Sequence, residues 1–200
     1  MTRDGVAGMT HEAAVLLALA REAIGSAFLG GEVAPPAEPW LQTPAAVFVT
    51  LRTQRDGELR GCIGSIEARL PLGDAVVAAA RAAAFDDPRF EPLSYAELSR
   101  VRLDVSVLSP LARLPVHDET EACQQLARTR PGVLLRHERR QGLLLPQVWE
   151  SVPEAAEFLR HLKRKAGLPP TFWSETVELH VFTCDAFAEA AEAPARLTTT

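Results

Sequence analysis

Cysteine is scarce in this chain: three in 200 residues, at Cys62, Cys123 and Cys184. They are far apart and odd in number, and no Cys-x-x-Cys occurs. Neither a disulfide framework nor a zinc knuckle is indicated, and reduced thiols in a cytoplasm are the simplest reading. Also missing is any apolar run near the ~20 residues of a membrane span. The best candidate, Val15–Ala20, stops at Arg21 and Glu22, and no basic stretch precedes it to make a signal peptide. No Gly-Lys-Ser/Thr phosphate loop is present, since Gly61 and Gly64 fall inside a strand pattern. The histidines His11, His117, His137, His161 and His180 are scattered without metal-ligand spacing, so no metal and no other cofactor is expected. The net charge is −5, which argues against a nucleic-acid partner.

What is present reads as a globular protein. Apolar residues make up 47% and charged residues 24%, enough for one large domain or two small ones. Residues 1–9 look loose. Thr10 is placed to cap a helix that begins at His11 and ends at Gly30-Gly31. Prolines make the following stretch irregular up to Pro44. Ala45–Thr53 alternates as a strand, Asp56-Gly57 is a hairpin-turn signal, and Glu58–Ile66 is the return strand. Asp74 is read as the cap of an alanine-rich helix that runs to about Ala84. Ser94 and Glu97 form a capping box, and Val101–Leu108 alternates as a half-buried strand.

Beyond a Pro110–Pro115 loop the order returns. A helix over about Glu119–Arg128 precedes a strand Gly132–His137, a turn Arg139–Gly142 and a strand Leu143–Trp149. Ser151 and Glu154 read as a second capping box for a helix that reaches Ala166, with Gly167 as its stop. Its run Arg160–Lys165 reads as a solvated basic face. Thr176–Cys184 is the last expected strand, and the tail after about Glu192 looks disordered. The fold class expected is α+β: a duplicated strand-strand-helix-helix-strand unit. Antiparallel strands in one curved sheet or two small ones are flanked by helices, in two subdomains with a cleft. The halves would span about residues 45–110 and 115–190, with the helix over 11–29 ahead of them. Aligning them sets Cys62 opposite Gln147.

The stretch around which the chain is organised is Glu58–Ser65. Cys62 sits between Gly61 and Gly64, with Arg60 two residues earlier. Two glycines in a strand suggest a close approach to the backbone. Alternation puts Arg60, Cys62 and Gly64 on one face, with Arg60 and Cys62 about 7 Å apart. A cation at that range favours the reactive thiolate. The plainer reading, a small buried hydrophobe, also stands.

Leu59-Arg60-Gly61-Cys62-Ile63-Gly64 resembles the complete signature of the AMMECR-domain family. Three more blocks follow in order: Asp87-Pro88-Arg89-Phe90, Leu144-Leu145-Pro146-Gln147-Val148, and Lys165-Ala166-Gly167-Leu168 with Trp173 after it. The resemblance covers roughly residues 11–190 and is closest to the family's stand-alone bacterial form. It implies an α+β fold in two subdomains, and as companions a Memo-like protein and a radical SAM protein. Cys62 and Arg60 become the candidate reactive pair. Gly61, Gly64, Asp87, Arg89, Gln147 and Lys165 become candidate residues around a small-molecule substrate. Where many relatives carry a second cysteine just before Lys-Ala-Gly-Leu, this chain has Lys163, so a dithiol mechanism is not expected. The rival reading is a binding module that presents a substrate or a protein to those companions.

Overall fold

The computed structural model describes residues 10–191. The loose start over 1–9 and the tail after about Glu192 lie outside the described residues. In chain order the elements are α1 His11–Ala27, β1 Ala46–Thr53, β2 Leu59–Ser65, α2 Leu72–Phe85, α3 Tyr95–Leu98 and β3 Val101–Leu108. There follow β4 Ala112–Leu114, α4 Glu119–Thr129, β5 Gly132–His137, β6 Arg140–Leu144, α5 Val148–Ser151, α6 Ala155–Lys165, β7 Glu178–Phe182 and β8 Cys184–Ala188. The described strands make two four-stranded sheets, ordered β2-β1-β3-β8 and β4-β7-β5-β6. The fold is therefore mixed α+β. Two compact units divide the chain: one runs up to Val107 and resumes at Asp185, and the other is Leu108–Cys184. Among the described residues, no helix is long and apolar enough to cross a membrane.

In the first unit, Thr10 caps α1 by accepting the Ala13 amide at 3.3 Å, and Gly30 takes a positive φ just past the helix. The hairpin closes as the turn signal requires, with Gly57 at φ 73°. β1 then pairs antiparallel with β2 from Val47↔Ser65 to Leu51↔Gly61, with an irregularity beyond Leu51. Val47, Val49 and Leu51 of β1 and Val101, Leu103 and Val105 of β3 are buried in one core with Leu16, Ile24, Val76 and Ala80 of the helices. The start of α2 differs from expectation. Leu72 is its first residue, with Pro71 at the cap position and Asp74 inside the first turn. Pro71 presets a helix-compatible φ, and the Leu72 amide is bonded to the Thr43 carbonyl instead.

In the second unit, β5 and β6 pair antiparallel from Val133↔Leu144 to His137↔Arg140. The strand expected over Leu143–Trp149 stops at Leu144, because Pro146 lacks the amide a strand needs. Trp149 sits in the short helix α5, stacked on Phe158 with 3.9 Å between centroids. Ser151 caps nothing; its hydroxyl bonds the Val148 carbonyl, and Glu154 stands at the α6 cap position without a side-chain bond. Gly167, at φ 71°, follows α6 as expected. The basic run of α6 is not wholly solvated: Lys163 is 1% exposed and bonded to Glu119 at 2.8 Å. The Pro110–Pro115 loop contains β4, paired with β7. The last expected strand, Thr176–Cys184, is β7 and ends before Thr183, whose amide and carbonyl are held by Ser109; Cys184 instead opens β8, a strand of the other sheet that was not expected.

Both sheets read alike from one edge: the return strand of a hairpin, its first strand, a later strand, then a fourth. Glycine fixes the register of this likeness. A Cβ at Gly61 of β2 would lie 2.1 Å from the Ala83 carbonyl in the last turn of α2. A Cβ at Gly142 of β6 would lie 2.7 Å from the Leu162 carbonyl in the last turn of α6. Gly61 thus matches Gly142, and Cys62 matches Leu143. The alignment of Cys62 with Gln147 is corrected, since Gln147 lies past the end of β6.

Candidate functional site

β2 is an edge strand, with β1 on one side only. Such an edge leaves backbone donors and acceptors without strand partners. At Cys62 both are taken up by the Asp87-Pro88-Arg89-Phe90 loop that follows α2. The Cys62 amide donates to Asp87 Oδ2 at 2.9 Å, and Arg89 Nη2 donates to the Cys62 carbonyl at 3.2 Å. The two side chains bond each other as well, Arg89 Nε to Asp87 Oδ1 at 2.9 Å and Arg89 Nη2 to Asp87 Oδ2 at 2.6 Å. One ion pair therefore does for Cys62 what a neighbouring strand would do. The Asp87 side chain is 2% exposed and that of Arg89 53%. A buried carboxylate needs such partners, since removing it from water unpaired is costly. The Arg89 guanidinium, helped by the Cys62 amide, holds the Asp87 carboxyl well below the usual carboxylate range.

The side chain of Cys62 lies across the hairpin from Thr50, its register partner. The Thr50 hydroxyl donates to the Cys62 sulfur at 3.2 Å. The thiol is half-buried. Arg60, expected to act on this thiol, is engaged by another group: its Nε donates to Glu97 Oε1 at 3.0 Å. Glu97 Oε2 also closes the capping box of α3 by accepting the Ser94 amide at 2.9 Å and the Ser94 hydroxyl at 2.8 Å. Bonded first by Arg60 and then by Ser94, the Glu97 carboxyl is brought down to about 2. The guanidinium carbons of Arg60 and Arg89 lie 5.9 and 5.4 Å from the centre of the Phe90 ring. That is within cation–π range.

Of the residues the sequence singles out, the first unit thus brings together Arg60, Cys62, Asp87 and Arg89. Gly61 and Gly64 accommodate the protein's own chain: the last turn of α2 at Gly61, and β1 at Gly64, where a Cβ would lie 2.2 Å from the Val47 carbonyl. Gln147 and Lys165 belong to the second unit. There the Gln147 amide lies 4.0 Å from the Cys184 sulfur, and Lys165 ends α6 on an exposed turn. Sequence reasoning misses Thr50 and reads Glu97 only as a cap. The signal for Thr50 is the alternation Phe48, Thr50, Arg52, which places it on the same face as Cys62 once the hairpin is paired. Among the described residues, no group of three or more His, Cys, Asp or Glu is arranged to hold a metal ion.

The AMMECR1 family model matches residues 17–187. The chain belongs to the AMMECR1 family. It is similar to a protein of Methanopyrus kandleri, 41% identical over 189 residues that cover 90% of this chain and 89% of that one. A protein of Aquifex aeolicus is 35% identical over 182 residues, covering 87% of this chain and 91% of its own. Among solved structures, the crystal structure of an uncharacterized protein from Pyrococcus horikoshii superposes with a TM-score of 0.81 at 36% identity. That likeness covers 88% of this chain and 90% of the other. In this AMMECR1 chain the segments Leu59–Gly64 and Asp87–Phe90 are joined at Cys62.

Proposed function

We propose that this AMMECR1 protein is an enzyme or enzyme component in which Cys62 is the reactive group. It acts in the cytoplasm on a small molecule, together with Memo-like and radical SAM companions. The observation that carries the reading is the threefold hold on Cys62: amide to Asp87, carbonyl to Arg89 and sulfur to Thr50. The two main-chain bonds would serve any edge-strand residue, but the hydroxyl on the sulfur is more than packing needs, and a nucleophile needs its sulfur held in one geometry. A hydroxyl donor aimed at sulfur also stabilises negative charge that develops there. Arg89 keeps its charge beside Cys62 while half of its side chain faces water, a place to receive an anionic group of the substrate. Arg60 has the lesser role of fixing α3 to β2 through Glu97.

One observation favours the second reading, a non-catalytic module that presents a substrate or protein to those companions. Asp87 is the acidic group nearest the Cys62 backbone, and a carboxylate held so low is a poor proton acceptor. Alkylation separates the two readings. Native protein is treated with iodoacetamide at neutral pH, and the labelled sites are identified by mass spectrometry. Labelling of Cys62 ahead of Cys123 and Cys184 is expected. Burial, with Glu119 nearby, pushes the Cys123 thiol up. A Cys62 that reacts only after unfolding would leave the binding-module reading.

A further inference from the structure

We propose that the cavity between α2 and the β1–β2 hairpin binds a small uncharged apolar molecule. The cavity measures about 430 Å³ and is floored by Val47 and Ile63, within the range of about 300–1,000 Å³ that small-molecule sites occupy. Its roof is Ala75, Ala78, Ala79 and Ala82 of α2. These recur every three or four residues and so share one helix face. Four short side chains there leave open a space that leucines would fill, and an unfilled apolar space forfeits contact energy.

The helix that walls the space is fixed at both ends. Near its C-terminus α2 rests on Gly61, where even a Cβ would be 2.1 Å from the Ala83 carbonyl. At its N-terminus Gly73 rests on Pro35, where a Cβ would be 2.5 Å away. Between those points Val76 and Ala80 of the same helix pack into the core with Val47 and Val49, so the helix that walls the cavity is fixed along its length and little reorganisation opposes binding. The charges on its rim, Glu67 and Arg69, bond each other. The pair offers a ligand no net charge, and apart from Ser65 the rest of the lining is apolar, which favours a neutral molecule. Leu70, 47% exposed at the lip, extends the apolar surface outward. Ile63 and Val47 point to the helix side of the hairpin, whereas Cys62 and Thr50 point to the other side. The site is therefore separate from the candidate thiol, and neither proposal stands on the other.

The test uses toluene as the probe and methyl NMR of the full chain as the readout. Saturable shifts of the Ile63, Ala75 and Ala79 methyl signals are expected, with a Tm that rises with toluene concentration. The substitution Ala78→Phe, at an exposed position on the cavity wall, is expected to fill the space and abolish both effects. Ala82→Leu serves the same purpose should Ala78→Phe not fold. Absence of saturable shifts up to the solubility of toluene overturns the proposal. So do shifts that persist unchanged in the filled variant.

Discussion

The β1–β2 and β5–β6 hairpins each place a glycine of the return strand under the last turn of a helix, yet the next residue is Cys62 in one and Leu143 in the other. The register partner differs in step: Thr50 faces Cys62, and Leu134 faces Leu143. In the second hairpin the chain after the helix is tied back through Arg140, which donates to the Gly167 carbonyl. In the first, the tie is a buried carboxylate, Asp87, on the Cys62 amide. The same scaffold therefore carries an apolar pair in one unit and a thiol with a hydroxyl donor in the other. Packing alone is satisfied by leucines, so the polar version calls for a chemical explanation.

The largest expected effect tests the shared scaffold. Gly61→Ala forces a Cβ against backbone, which cannot swing aside as a side chain would, and is expected to cost about 3 kcal/mol or more. Gly142→Ala, with its nearest contact at 2.7 Å, is expected to cost about 1–3 kcal/mol. Urea unfolding of the two variants checks the order, and a costlier Gly142→Ala would break the correspondence of the two glycines.

Next in size is the tie itself. Asp87→Ala leaves the Cys62 amide without its partner and Arg89 without its counter-charge. A loss of about 2–3 kcal/mol is expected, below that of a fully buried pair because Arg89 is half in water. The sign with pH follows from the lowered carboxyl. Its stabilisation is complete above the unfolded carboxylate value of about 4 and is lost as pH falls below it. Urea unfolding at pH 7 and pH 3 is expected to show a larger drop for the parent than for Asp87→Ala. Equal drops would remove Asp87 from the account.

A smaller effect is expected at Glu97, whose side chain is 37% exposed. Glu97→Gln is expected to cost about 1 kcal/mol or less, because solvent screens the pair with Arg60. Its contribution is present above the ordinary value of 4.5 and fades as pH falls towards about 2. A stability profile that is flat over that window in the parent chain would contradict this.

Much of this was legible from the residues. Alternation and Asp56-Gly57 gave the first hairpin, and Ser94 with Glu97 gave α3. Local rules fail where longer-range partners decide. Ser109 breaks the last strand at Thr183 and Glu119 draws Lys163 into the core, whereas the early end of β6 follows from Pro146, a local signal that the alternation overran. At the site, Cys62, Asp87 and Arg89 stand out as motif residues, but their joining by hydrogen bonds depends on a loop that folds back on β2. Neighbourhood in sequence suggested Arg60 as the cation acting on Cys62, whereas the fold commits Arg60 to Glu97 and brings Arg89 to the Cys62 carbonyl from 27 residues away.

The smallest change in structure bears on the central claim, that the Thr50–Cys62 pair is built for reactivity and not for packing. Thr50→Val keeps shape and β-branching while removing the donor, so stability is expected to stay within about 1 kcal/mol. The deciding measurement is the rate of iodoacetamide labelling at Cys62 in the native parent and in native Thr50→Val at neutral pH. Cys62 is expected to be labelled fastest of the three thiols in the parent and several-fold more slowly in the variant. An unchanged rate, or a parent in which Cys123 or Cys184 is labelled first, would contradict it.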